Sequence, residues 1–474
     1  MRANSGRPGE QRHEQNSAKP RAAMKPSKLA RIWFLMHRTV LSSVARRVRL
    51  AALVALIGSA QAMMSTNAGA APPPKVAPAP TAAIMTGAAK LVGSDFAAIA
   101  GRRVGLVTNH TARVDGAHLA DVLADAPNVT LAAILAPEHG FRGAAEAGAS
   151  VDDGRDSRTG VPIFSLYGAT KKPTQRMLRN LDVLVFDIQD IGARFYTYIS
   201  TMGLAMQAAA EAGIPFVVLD RPNPLGGTDV SGFVLEKPLA SFVGQYPIPI
   251  VHGMTVGELA RMIKGERMLP GLDRLDLVVI EMTGWQRGMR WPDTGQTWIA
   301  TSPNIPSFAS ALVYPGIGVV GELAVNEGRG TPEPFTVFGA RWFDGRLAAD
   351  RLNALALPGV RFEGVSYTPR SIPGVATNPR FLGQKISGVR LDVTDVDRFA
   401  PLETGMHAIA EVYRQAPTRE RAALFPNVAM FHAIAGTRRL MAMIKAGKSG
   451  AEIVAAWQPE VSDFKLRRAP YLIY

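Results

Sequence analysis

The chain has 474 residues, enough for two or three domains that each bury a core. Its composition, 47% hydrophobic and 19% charged, is that of a globular protein and excludes a disordered chain. The formal net charge of +14 would suit a nucleic-acid-binding protein, but residues 1–70 contain twelve of the 53 lysines and arginines and only two of the 39 acidic residues. The rest of the chain is close to charge balance, so we expect no nucleic-acid partner.

Residues 1–70 have the pattern of an N-terminal extension followed by an export signal. A cluster of arginines precedes a short apolar run at 50–57, and small residues with A-x-A spacing follow, ending at Ala62 and again at Ala70. The apolar run is too short to stay in a bilayer as an anchor, and the chain has no cysteine to carry a lipid. We therefore predict export to the periplasm, cleavage near Ala62 or Ala70, and no stable membrane anchor afterwards.

After this segment, short apolar stretches alternate with helical patterns. Strands are predicted at 103–108, 129–136, 182–188 and 215–219, and a helix at 197–212 that Gly213 closes. Nearly continuous apolar strands separated by helices favour a parallel sheet that helices cover on both faces. The sequence therefore predicts an α/β fold.

The domain organisation follows from the same patterns. A Pro- and Ala-rich linker at 71–85 is predicted to precede a Rossmann-like domain at 86–306. Residues 307–474 are predicted to form a smaller α+β domain that ends in two helices, at 430–446 and 449–457.

Each predicted strand ends in polar side chains. In a parallel sheet the ligand binds beyond the carboxyl ends of the strands, so we expect these side chains to surround one cleft. They are Asn109, Glu138, His139, Asp187, Gln189, Asp190, Arg221 and Asn223.

Two later segments have different predicted roles. Thr255 and Glu258 have the spacing of a capping box at the start of a helix, which gives Glu258 a structural role. The irregular segment 284–306 contains three tryptophans and many turn residues, and such loops often line sites. The same tryptophans are also suited to filling a core between domains.

The sequence contains only weak motifs, or none, for other kinds of catalysis. Gly316 to Gly321 match G-x-G-x-x-G, but the motif comes late in the chain and lacks a convincing acidic partner, so no NAD is expected. No H-E-x-x-H motif or tight ligand spacing is present, so we expect no metal and no cofactor, and no G-x-S-x-G elbow indicates a serine hydrolase. The side chains considered as metal ligands are His110, His139, His252 and Asp187.

Several long blocks strongly resemble one family, and they extend from about residue 90 to the C-terminus. The blocks are GLVTNHT, APEHGFRGAAEAG, LDVLVFDIQDIGARFYTYISTM, VLDRPNPLGG, PIPIVHGMTVGELA, SPNIPS, NEGRGTPEPF and AGTRRLMAMIKAGKSGAEIVAAWQPE. The family that they resemble is that of the NamZ-type exo-β-N-acetylmuramidases, formerly called DUF1343.

The resemblance implies a Rossmann-like domain joined to a smaller C-terminal domain, with the site in a cleft between them. It implies release of N-acetylmuramic acid from the non-reducing ends of peptidoglycan fragments, with Glu138 as the catalytic acid. The matching positions expected to shape the pocket are Asn109, His110, Arg142, Gln189, Arg194, Tyr196, Arg221, Asn223, His252, Asn304 and Arg329. One departure is that Gly321 stands where family members often have a glutamate, and Glu322 lies one position further on.

Glycoside cleavage needs a proton donor at the leaving oxygen and a group that stabilises an oxocarbenium-like centre. Glu138 follows an apolar strand and is the predicted donor, with His139 as its support. Asp187 or Asp190 is the candidate base or stabiliser, and the acetamido group of the sugar is an alternative internal nucleophile.

The lactyl carboxylate of the sugar suits an arginine, and the candidates are Arg142, Arg194, Arg221 and Arg329. A periplasmic protein that binds sugars or muropeptides without turnover is the alternative function. It would share the cleft and the export signal, but it would not need an acid at a strand end.

Overall fold

The computed structural model describes residues 84–142 and 153–474. The predicted extension and signal at 1–70, and the linker up to residue 83, lie outside the described residues. No helix of the described residues is both long and apolar enough to cross a membrane.

The first domain is built on a seven-stranded sheet with the order β5-β6-β4-β1-β7-β8-β9, in which only β5 is antiparallel to its neighbour. Counted along the chain, the parallel strands have the order 3-2-1-4-5-6 of a doubly wound Rossmann-like sheet. This confirms the predicted α/β class. The strands are β1 (Arg103–Thr108), β2 (Arg113–Val114), β3 (Ala117–His118), β4 (Thr130–Ala136), β5 (Gly154–Arg155), β6 (Pro162–Ser165), β7 (Val183–Asp187), β8 (Phe216–Leu219), β9 (Leu277–Ile280), β10 (Val337–Ala340), β11 (Val360–Tyr367) and β12 (Ile386–Val393).

The sheet is buried on both faces because successive residues of its central strands enter different cores. In β7, Val183 and Val185 pack into one hydrophobic cluster, and Leu184 and Phe186 pack into the other. The helices that complete these clusters and the second domain are α1 (Gly87–Gly93), α2 (Leu119–Asp125), α3 (Gln175–Leu178), α4 (Tyr198–Ala212), α5 (Val256–Gly265), α6 (Phe308–Val320), α7 (Gly345–Asn353), α8 (Pro401–Gln415), α9 (Thr418–Ala422), α10 (Val428–Ala435), α11 (Arg439–Lys445) and α12 (Gly450–Arg468).

Local signals in the sequence set the ends of two of these helices. Gly213 ends α4 with a φ of 68°, in the left-handed region that glycine tolerates. Thr255 and Glu258 form the predicted capping box of α5. The Glu258 N–H donates to Thr255 Oγ1 over 3.2 Å, and the Thr255 N–H donates to Glu258 Oε2 over 3.0 Å.

The second domain contains the antiparallel sheet β10-β12-β11, and α6 packs on α8. Gly316 of the G-x-G-x-x-G pattern lies inside α6, where a Cβ atom would come within 2.2 Å of the Pro401 carbonyl oxygen. A Cβ atom on Gly405 of α8 would come within 2.4 Å of the Gly316 Cα atom. These glycines therefore allow two helix backbones to touch, and the motif is a helix-packing feature.

The predicted pair of C-terminal helices was wrong in detail. The segment 430–446 is divided into α10 and α11 because Gly436 adopts a φ of 76°, which ends α10. The last helix extends to Arg468 rather than Trp457, with Pro459 inside it. Proline normally ends or bends a helix, so its position concealed the length of α12.

The C-terminal residue ties the end of the chain to the main sheet. The Tyr474 hydroxyl donates to Asp220 at the end of β8 over 2.8 Å and accepts the Met282 N–H over 2.7 Å. The Arg287 side chain donates to the Tyr474 carbonyl oxygen over 3.1 Å. The tail thereby joins the second domain to the edge of the first.

Replacement of Tyr474 by phenylalanine should lower the free energy of unfolding by about 1–3 kcal/mol, because buried polar partners lose their hydrogen bonds. Urea unfolding measures this. The matched control is Tyr471→Phe, because the Tyr471 hydroxyl forms no hydrogen bond with the described residues. Equal losses in the two variants would contradict the proposed role of the tail.

Candidate active site

The turn after β4 brings Glu138 to the carboxyl edge of the sheet. The Gly140 N–H donates to the Pro137 carbonyl oxygen over 3.0 Å, and His139 adopts a φ of 70° in the third position of this turn. Positive φ is uncommon for a residue other than glycine. The backbone therefore reverses within four residues, leaving Glu138 half-buried and His139 buried.

Glu138 lines a cavity of about 190 Å³. Three larger surface cavities among the described residues, of about 480, 580 and 460 Å³, contain none of the predicted site residues, so chemistry rather than size identifies the site. Both domains contribute polar side chains to its lining, namely Glu138, His139, Tyr167, Tyr196, Thr197, Ser302, Asn304, Tyr314, Glu322 and Arg329.

Two hydroxyl groups hold the Glu138 carboxylate. Thr197, which immediately precedes α4, donates to Glu138 Oε2 over 2.7 Å. Tyr167 also hydrogen-bonds Glu138, and burial together with the neighbouring Glu138 charge raises the pKa of the Tyr167 phenol. The carboxyl group is therefore fixed in direction by side chains from two different segments.

The second domain contributes an arginine and two further acids. Arg329 forms an ion pair with Glu327. Burial raises the pKa of Glu322, and the charge of Glu327 adds to this while Arg329 opposes it. Glu322, one position after the departure from the family pattern at Gly321, thus lies in the same cavity as Glu138.

Asn304 and Tyr196 complete the polar lining that the sequence predicted. Asn304 donates to the Val375 carbonyl oxygen over 2.7 Å, while its own side-chain oxygen is buried without a partner among the described residues. Tyr196 donates to Thr301 Oγ1 over 2.8 Å. The side-chain oxygen of Asn304 is therefore a buried acceptor that no donor among the described residues satisfies.

Sequence profiles described as exo-beta-N-acetylmuramidase NamZ match the chain in two parts, the N-terminal profile over residues 104–309 and the C-terminal profile over 312–474. The chain belongs to the NamZ exo-β-N-acetylmuramidase family.

Individual relatives agree with this assignment. The chain is 41% identical over 410 residues to the peptidoglycan beta-N-acetylmuramidase NamZ of Bacillus subtilis (strain 168), covering 86% of this chain and 96% of the relative. Crystal structures of two DUF1343 family proteins from Bacteroides fragilis NCTC 9343 are also similar. One is 39% identical with a TM-score of 0.76, covering 84% of this chain and all of its own, and the other is 35% identical with a TM-score of 0.67, covering 83% and 99%.

Asp187 and Arg221 of this NamZ-family chain pair with each other. Arg221 donates to both carboxylate oxygens of Asp187, over 2.5 and 2.9 Å, and Asp187 is fully buried. The pair joins the ends of β7 and β8. Neither side chain is among those that line the cavity, so neither is placed there as a base or as a receptor for a carboxylate.

Other predicted residues at the strand ends hold the backbone. Asn109 Oδ1 accepts from the backbone and hydroxyl of Thr111, and the Gln189 amide donates to the carbonyl oxygens of Asp190 and Pro222. Asn223 donates to the Met254 carbonyl oxygen over 3.0 Å. These side chains therefore fix loops around the site and do not line the cavity.

Two predicted basic residues are deeply buried away from the cavity. Arg194 donates to the carbonyl oxygens of Phe233, Ile248 and Ile434 over 2.8, 2.8 and 2.9 Å. His252 accepts the Met254 N–H at Nδ1 over 3.2 Å, and burial lowers the pKa of His252 to about 3. Both were expected to bind substrate, but their hydrogen bonds join segments of the protein.

Arg142 and His110 also lie outside the cavity lining. Arg142 pairs with Asp156 over 2.5 Å, while about half of its side chain is exposed. His110 Nε2 is 2.5 Å from the Ala300 carbonyl oxygen, and burial lowers the pKa of His110. Among the described residues no group of three or more His, Asp or Glu side chains is arranged to hold a metal ion.

The tryptophans of segment 284–306 pack inside the protein. Trp285 contacts the Tyr474 ring at 5.1 Å, and Trp291 contacts Trp298 at 5.0 Å. The loop instead lines the cavity through Ser302, Asn304 and Ile305.

The sequence analysis missed Tyr167 and Thr197. Tyr167 follows β6, a strand of four residues that begins with a proline and so has a weak signal. Once β6 is recognised, Tyr167 follows the same strand-end rule as Glu138. Thr197 was recognised only as the start of a helix.

Replacement of Asp187 by asparagine should lower the free energy of unfolding by about 3–5 kcal/mol, because it leaves the buried Arg221 charge unpaired. The control is Glu211→Gln, which breaks the exposed pair between Lys172 and Glu211 and should cost less than about 1 kcal/mol. Urea unfolding compares the two. A loss at Asp187 as small as the control would show that the pair is not structural.

Asp190 predicts a specific pH dependence of stability. Burial raises the pKa of Asp190 to about 7, whereas in the unfolded chain its pKa is 3.8. The unfolded state therefore loses the proton first, and folded-state stability due to this group falls as pH rises from about 4 to about 7. Asp190→Asn should remove this part of the dependence in urea unfolding series. Parallel pH profiles for wild type and variant would contradict it.

Proposed function

We propose that this protein is an exo-acting glycoside hydrolase that releases N-acetylmuramic acid from the non-reducing ends of peptidoglycan fragments. The observation that carries the proposal is Glu138, held by two hydroxyl groups in a cavity between the two domains of a NamZ-family chain. A relative from Bacillus subtilis that is 41% identical is the peptidoglycan beta-N-acetylmuramidase NamZ.

Glu138 acts as the general acid. Its proton passes to the glycosidic oxygen while the bond from that oxygen to the anomeric carbon breaks. Water then adds at the anomeric carbon and gives a proton back to Glu138, which restores the acid. Thr197 and Tyr167 hydrogen-bond the carboxyl group and fix its position in the cavity.

The positions of the two aspartates limit the candidates for the second catalytic group. Asp187 is paired with Arg221, and Asp190 accepts the Gly192 N–H over 2.7 Å. Neither lines the cavity. These placements favour the acetamido oxygen of the substrate as the internal nucleophile at the anomeric carbon.

Arg329 receives the lactyl carboxylate of the sugar. Of the candidate arginines it is the one in the cavity lining, whereas Arg142, Arg194 and Arg221 are occupied by Asp156, backbone carbonyls and Asp187. Arg329 already pairs with Glu327, but a guanidinium has five N–H donors and can bind a second carboxylate.

We also propose export to the periplasm, which rests on the arginine cluster, the short apolar run and the A-x-A sites of residues 1–70. N-terminal sequencing of protein from the periplasmic fraction should find a start shortly after Ala62 or Ala70. Recovery of the uncleaved chain from the cytoplasm alone would contradict this.

Replacement of Glu138 by glutamine should lower kcat on the disaccharide of N-acetylmuramic acid and N-acetylglucosamine by about 100- to 10,000-fold, because the leaving sugar needs a proton. The loss on 2,4-dinitrophenyl N-acetylmuramide should be far smaller, because dinitrophenolate leaves without one. Product release is followed by chromatography and by absorbance.

The matched control is Glu211→Gln on the protein surface, which should keep wild-type rates on both substrates. Equal losses on the two substrates at Glu138 would contradict a role as general acid. A wild-type protein that binds the disaccharide but never cleaves it would instead support the sugar-binding alternative.

A further inference from the structure

Glu322 is a carboxylate of the cavity that the reaction described above does not use. It lies directly after α6, where its N–H donates to the Val319 carbonyl oxygen over 3.2 Å. Its side chain is half-buried and lines the cavity, and within the described residues no hydrogen bond or ion pair engages its carboxylate. The carboxylate is therefore available to a ligand.

Glu322 lines the same cavity as Arg329 and is influenced by its charge. The charges that act on Glu322 are those of Arg329, Glu327 and Arg380, all in the second domain. Tyr314 is influenced by both carboxylates, because burial and then the charges of Glu138 and Glu322 raise the pKa of its phenol, against the effect of Arg329. The first domain thus supplies the proton donor Glu138 to the cavity, and the second domain supplies Arg329 and the unpaired carboxylate of Glu322.

The chemistry of the sugar matches this neighbouring pair. In N-acetylmuramic acid the lactyl ether is on C3, and the adjacent C4 carries a hydroxyl group. If Arg329 holds the lactyl carboxylate, an acceptor next to Arg329 lies near the C4 hydroxyl. A carboxylate only accepts hydrogen bonds, so it suits a hydroxyl donor and not the anionic lactyl group.

We propose that Glu322 accepts a hydrogen bond from the C4 hydroxyl of the terminal N-acetylmuramic acid and thereby restricts cleavage to chain ends. In an internal residue the C4 oxygen forms a glycosidic bond and has no hydrogen to donate. The buried acceptor then stays unpaired, and this penalty discriminates against internal residues. The inference rests on the proposed function and adds a determinant of exo specificity to it.

The test compares 4-methylumbelliferyl N-acetylmuramide with its 4-deoxy analogue. Wild type should lose roughly 10- to 100-fold in kcat/KM on the analogue, the range expected for a hydrogen bond to a charged group. Glu322→Ala should cleave both substrates at similar rates, close to the wild-type rate on the analogue. Glu211→Gln should keep the wild-type ratio.

The ratio of the two rates does not depend on how much of a variant is folded, so poor folding of Glu322→Ala cannot imitate the expected result. Retention of the wild-type preference by Glu322→Ala would overturn the proposal, as would a wild type that treats both substrates alike.

Failure of the proposed function is recognised separately, because wild type would then release no methylumbelliferone from either substrate. In that case the dissociation constants of the two glycosides, measured by calorimetry, replace the rates. The C4 hydroxyl should then strengthen binding to the Glu138→Gln protein, and not to a Glu138→Gln, Glu322→Ala double variant. Equal effects in both proteins would overturn the inference.

Discussion

Parallel pairing of β4 with β1, and of β1 with β7, brings the ends of three strands to one edge of the sheet, and the position of Glu138 depends on this pairing. At that edge most polar groups are used to hold the strand ends together. Thr108 donates to the Asp187 carbonyl oxygen over 2.9 Å, and the Gln189 N–H donates to Thr111 over 3.0 Å. The end of β4 is different, because its turn directs Glu138 into the cavity.

The second domain completes the site at this edge. Arg329 and Glu322 reach the cavity from the segment that follows α6, whereas Glu138 comes from the first domain. The proton donor of the site thus comes from one domain, and its arginine and second carboxylate come from the other. This arrangement suits a sugar that has an anionic substituent near one end and a scissile bond at the other. The docked C-terminal tail stabilises the association of the two domains on which this geometry depends.

The sequence predicted the sheet well because its central strands are buried on both faces and therefore read as continuous apolar runs. It also predicted that Glu138 lies at the end of a strand beside a cleft, since a strand end is a local feature of the sequence. It did not predict that Asp187 and Arg221 would pair, because they are 34 positions apart along the chain and meet only once β7 and β8 are adjacent. The weak strand β6 concealed Tyr167, and Gly436 and Pro459 concealed the true helix boundaries near the C-terminus.

The proposed enzyme removes one N-acetylmuramic acid at a time from a free chain end. The most direct measurement is to incubate the protein with peptidoglycan oligosaccharides that end in either N-acetylmuramic acid or N-acetylglucosamine, and to identify the products by mass spectrometry. The account predicts free N-acetylmuramic acid from the first set and no product from the second. Release of disaccharides or internal fragments, or cleavage of the second set, would contradict it.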